Sequence, residues 1–79
     1  MEQEDYLETI YNLKKDKGYV RVSDIADDLG LSKPSVTQMM QRMKKDGLVD
    51  YKPYKPLQLK PRGMAIGKKV AERHRVLTG

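Results

Sequence analysis

Asp5, Glu8 and His74 are among the side chains of this chain whose types suit a bound cation. Two carboxylates and an imidazole are oxygen and nitrogen donors of the kind that hold a divalent first-row metal. Asp5 and Glu8 stand three positions apart, so a helix makes them neighbours, on a face turned away from Tyr6, Leu7 and Ile10. His74 is the sole histidine, and spacing alone does not carry it to the acids. Judged by residue type and spacing alone, the acids read better as a solvated first turn complementing a helix dipole, and the histidine as a packing residue. The absence of cysteine excludes a disulfide framework, a thiolate-ligated zinc and a thiol nucleophile.

A second set of residues suits a polyanion. Over 33–46, Val36, Met39, Met40 and Met43 mark one helical face, and the opposite side carries Pro34, Gln38, Gln41, Arg42 and Lys45. Ser32, Lys33 and Ser35 lie at the N-terminal end, with Thr37 on a flank. Gln pairs bidentately with adenine and Arg with guanine, while Ser and Thr reach phosphates or thymine methyls. An exposed helix start also offers free N–H groups to a phosphate. Lys52 and Lys55 sit in a loop with Pro53 and Pro56, placed to meet a nucleic-acid backbone. Tyr54 between the prolines either packs on sugar or braces the loop.

The elements that must position these groups follow from periodicity and punctuation. Residues 3–17 read as a helix with Tyr6, Leu7, Ile10, Tyr11 and Lys14 on one face, and Gly18 ends it. Tyr19 to Val22 is a short strand candidate. Ser23 reads as the N-cap of a helix over 24–29 stopped by Gly30, and Ser32-Lys33-Pro34 opens the next at once. Two helices on so tight a turn form a helix-turn-helix. Residues 48–51 and 57–60 read as paired strands, and from Pro61 a last helix aligns Ile66, Val70, His74 and Leu77. The fold expected is mostly α with a small β-hairpin, a winged helix-turn-helix over 1–60, with a linker helix over 61–79.

Seventy-nine residues with 38% apolar content support one small core, built without Phe or Trp. No apolar run approaches the roughly 20 residues that span a bilayer, and the acidic start lacks a signal-peptide pattern, so the expected setting is the cytoplasm. Charge divides the chain. Residues 1–28 hold eight acids and four bases, a net −4, and residues 29–79 carry +9, which together give the overall +5. A basic segment on a small domain points to a polyanionic partner.

Glu4 to Tyr11, Val22-Ser23-Asp24-Ile25-Ala26, Ser32 to Gln38 and Lys45-Asp46-Gly47-Leu48-Val49 together resemble the metal-dependent repressors of the diphtheria-toxin-repressor type, nearest their manganese-transport-regulator branch. The resemblance extends from Glu4 to about Leu77. It implies a dimer that binds operator DNA through a winged helix when a divalent metal is bound, silencing metal-uptake genes. Ser32, Pro34, Ser35 and Gln38 fall on operator-contacting positions. Asp5, Glu8 and His74 fall on metal-ligand positions, and Asp5 replaces the thioether of the iron branch, which favours Mn²⁺ over Fe²⁺. The resemblance also implies a dimerisation domain past Gly79 that supplies the remaining ligands. The 79-residue chain is therefore expected to carry a partial site and to bind metal weakly. Thr78 departs from a glutamate common in relatives. The competing reading is a metal-independent winged-helix module that binds DNA or docks on protein. An enzyme is not expected, since the chain offers no nucleophile or phosphate loop and little room for a substrate pocket.

Overall fold

The computed structural model describes residues 2–78, and side chains as far as His74. Helices α1 (Gln3–Lys17), α2 (Val22–Leu29) and α3 (Lys33–Lys45) precede strands β1 (Val49–Asp50) and β2 (Gln58–Leu59), and α4 (Pro61–Thr78) closes the order. The strands pair antiparallel, Val49 opposite Leu59 and Asp50 opposite Gln58.

The first three helices begin where local chemistry satisfies free N–H groups. The Asp5 carboxylate accepts the Glu2 N–H at 3.3 Å ahead of α1. Ser32 Oγ accepts the Ser35 N–H at 3.3 Å ahead of α3, as its Ser-Lys-Pro start predicts. Helix α2 departs from expectation. Its N-cap is Arg21 rather than Ser23, because the Asp24 carboxylate reaches back to the Arg21 N–H at 3.0 Å and caps the helix from within. Residues 19–22 accordingly form no strand. Their one sheet-like link is the Leu57 N–H, which donates to the Val20 carbonyl at 2.7 Å and holds the base of the hairpin against the α1–α2 loop. The strands are two residues each, shorter than the four expected, because at one end the Leu48 N–H is spent on the Met43 carbonyl and the Lys60 carbonyl on the Met64 N–H, and at the other the Leu57 N–H turns to Val20.

The core gathers Tyr6, Leu7 and Ile10 of α1, Ile25 and Ala26 of α2, Val36, Met40 and Met43 of α3, and Val20, Leu48, Val49 and Leu57. Met39, expected on the buried face, is only half-buried and packs at the core's edge. A buried Leu or Met side chain contributes roughly 1.5–3 kcal/mol, so with no Phe or Trp the stability is shared among many medium-sized groups.

Helix α4 approaches the rest unusually closely. A Cβ on Gly63 would lie 2.1 Å from the Leu48 carbonyl oxygen, and one on Gly67 would lie 2.7 Å from that of Leu7. Glycines one turn apart thus let the backbone of α4 rest on α1 and the start of the hairpin. Val70 is buried one turn further along.

Candidate functional site

The close seat of α4 sets the position of His74. With Gly63, Gly67 and Val70 on one stripe against α1, the next turn brings His74 over Glu8, and Nδ1 lies 2.5 Å from Glu8 Oε2. A carboxylate only accepts, so the ring N–H donates. The Glu8 side chain is 18% exposed and that of His74 is 53% exposed. Glu8 therefore faces α4, not open solvent on the far side of α1 as its spacing from Tyr6 and Leu7 suggested. Asp5 is exposed, and its carboxylate serves the helix start. Among the described residues no group of three His, Asp or Glu side chains converges as a metal cluster would. Carboxylate and imidazole are both ligand types of divalent cations, and here one of each meets through a hydrogen bond.

The second site lies on α3. Ser32, Lys33, Pro34, Ser35, Gln38, Gln41 and Arg42 are exposed, and Thr37 is half-buried on the flank. The Ser32 and Ser35 hydroxyls bond to each other at 2.9 Å, which holds both at the helix start. Acidic residues occupy the first turns of α1 and α2, whereas that of α3 has none and carries Lys33. The positive end of the α3 dipole is thus unopposed by any carboxylate of its own turn, a condition that favours an approaching anion. Lys52 and Lys55 are exposed on the hairpin loop, where the Lys55 N–H donates to the Lys52 carbonyl at 3.3 Å and closes a turn.

Three links were not anticipated. Gln3 Nε2 donates to Asp46 Oδ2 at 2.9 Å and ties the first turn of α1 to the C-cap of α3. Lys14 Nζ donates to Gln58 Oε1 at 3.3 Å, joining α1 to β2. Lys17 Nζ donates to Asp24 Oδ1 at 2.7 Å. That bond and the Arg21 N–H hold the Asp24 carboxyl below the usual aspartate range, and the same bond raises Lys17. The side-chain links leave no periodic trace in the sequence. The Gly63-x-x-x-Gly67 spacing does leave one, and reading it against the Ile66 and Val70 face would have predicted the close helix contact.

A helix-turn-helix with an exposed, acid-free third helix, followed directly by a hairpin, defines a winged-helix DNA-binding domain. Solved structures share this fold. MepR, a transcription regulator of the Staphylococcus aureus multidrug efflux pump MepA, superposes with a TM-score of 0.70 at 21% identity, over 96% of this chain and 60% of that one. A MarR family protein from Bacillus stearothermophilus gives 0.67 at 20% identity, over 90% and 54%. At such identities the likeness is one of fold.

The chain belongs to the iron dependent repressor family, whose N-terminal DNA-binding domain matches residues 1–57. It is 50% identical over 74 residues to the HTH-type transcriptional regulator MntR of Listeria monocytogenes, covering 94% of this chain and 52% of that protein. With the regulator of the same name from Lysinibacillus sphaericus the identity is 47%, over 94% and 53%. The chain spans about half the length of the curated relatives it matches. Among the described residues no helix is long and apolar enough to cross a membrane.

Proposed function

We propose that this domain reads operator DNA for a manganese-responsive repressor of metal-uptake genes, acting in the cytoplasm as part of a dimer. The observation that carries the reading is the meeting of Glu8 and His74 across 66 positions of chain on a domain of this family. Ser32, Lys33, Pro34, Ser35, Thr37, Gln38, Gln41 and Arg42 make up the surface that enters the major groove. Lys52 and Lys55 contact the backbone beside it. The segment 61–79, within which α4 spans Pro61–Thr78, leads from the 1–60 winged helix towards the dimerising segment.

Glu8 and His74, with Asp5 one turn away, would hold the cation, whose chemistry is a charge link between α1 and α4. The oxygen-rich donor set favours Mn²⁺ over Fe²⁺. Fixing α1 against α4 then fixes how two copies of α3 are spaced, and DNA tests that spacing. Two donors in contact give a partial site, so this chain alone binds Mn²⁺ weakly. The relatives are transcriptional regulators, and the same role is proposed here in preference to catalysis.

The experiment is fluorescence anisotropy with a labelled duplex that the gene product has enriched from a random pool, with Mn²⁺ and then with chelator. Tighter binding with Mn²⁺ supports the reading. Equal binding in both conditions overturns the metal dependence and leaves a metal-independent winged helix. Failure to enrich any duplex overturns the DNA reading itself.

A further inference from the structure

Tyr54 is 99% exposed and stands at φ +67° in the middle of the hairpin loop. The turn that holds it runs from Lys52 to Lys55, with Pro53 ahead of the ring and Pro56 just beyond. Its third position is one that favours glycine, since a side chain in the left-handed region meets its own backbone. A bulky aromatic is among the least comfortable residues there. A ring left in water also recovers no packing from the chain. The sequence left two roles open for this ring, and the structure removes one, because a ring open on every side braces nothing. The prolines stiffen the loop at positions 53 and 56 on either side of Tyr54.

We propose that Tyr54 is the wing-tip contact to duplex DNA, its ring lying against deoxyribose in the minor groove. The inference rests on the DNA-binding reading above. With α3 in the major groove, the surface flanking it is phosphate backbone and minor groove. Lys52 and Lys55, exposed on either side of the ring, meet the phosphates that border that groove. Sugar presents C–H groups at every step of the duplex. The contact is therefore indifferent to sequence, and it positions the wing where α3 selects the site.

Two variants of this chain test it, Tyr54→Gly and Tyr54→Phe, on the duplex enriched from a random pool. Tyr54→Gly relieves the backbone and removes the ring, so its urea midpoint stays or rises while duplex affinity falls about tenfold. Tyr54→Phe keeps the ring and stays within about threefold of the unaltered chain. Neither variant changes the slope of affinity against salt, because no phosphate partner is lost, whereas Lys55→Ala reduces it. Unchanged affinity in Tyr54→Gly overturns the proposal, and so does a lowered urea midpoint, which would mark a bracing ring. Gln38→Ala separates the two readings. If it loses discrimination while Tyr54→Gly binds normally, only the wing contact is wrong. If the unaltered chain enriches no duplex, the DNA reading falls and takes this inference with it.

Discussion

His74 Nδ1 meets Glu8 Oε2 at 2.5 Å, and this contact joins the ends of a path that begins on α1 and finishes 66 residues later on α4. The pair is partly open to water, with His74 at 53% and Glu8 at 18% exposure, so its own share of stability is small. His74→Ala and Glu8→Ala should each cost below about 1 kcal/mol in urea unfolding. Their effect should appear with metal instead. Excess Mn²⁺ raises the melting temperature of the unaltered chain by mass action, and each substitution should remove most of that rise. A full Mn²⁺ shift in both variants would place the cation elsewhere.

Gly67→Ala should be destabilising although alanine is the better helix former. In an open helix the exchange gains up to about 1 kcal/mol. Here the new Cβ meets the Leu7 carbonyl oxygen at 2.7 Å, and α4 must lift from α1. Gly63→Ala is tighter still, at 2.1 Å from the Leu48 carbonyl oxygen. A loss of roughly 1–3 kcal/mol is expected at each, read from the urea midpoint. Neutral or stabilising outcomes would mean that the helices do not sit this close.

Stability should fall with acid partly through Asp24. Its folded-state pKa is lowered by the Lys17 bond first and the Arg21 N–H second. A carboxyl depressed on folding adds stability that is present above the unfolded value of about 4 and is lost as pH falls through the folded value. Lys17 is shifted upward, so its contribution is full below the ordinary lysine range and fades as pH rises through the raised value. Asp24→Asn should flatten the acid limb of the curve of melting temperature against pH. An unchanged acid limb would assign that loss to other carboxyls.

Gln38→Ala should relax operator choice by roughly 1–3 kcal/mol while leaving the fold alone, because the side chain is exposed on α3. Competition between the enriched duplex and single-base variants measures this. An unchanged preference at every position would remove Gln38 from the reading surface.

The three helices of the DNA-binding part were legible in the sequence because local rules govern their ends. Ser32 with Pro34 starts α3, glycines follow α1 and α2, and the Val36, Met40 and Met43 spacing selects the buried face. The start of α2 departs from its local sequence signal for a physical reason. Ser23 and Asp24 can both cap, and the choice fell to Asp24 because Lys17, seven positions earlier on another helix, stabilises its carboxylate there.

Charge, length and punctuation by themselves determined a small basic winged helix with an acidic first helix, since those signals act over a few residues. Whether Glu8 and His74 meet was a matter for tertiary structure alone. Neither residue's neighbours encode the other, and the meeting depends on Gly63 and Gly67 having no side chain where α4 rests on Leu48 and Leu7. The same holds at the wing, where composition could not say whether Tyr54 leans on the loop or stands clear of it. Its left-handed backbone and full exposure decided that it stands clear.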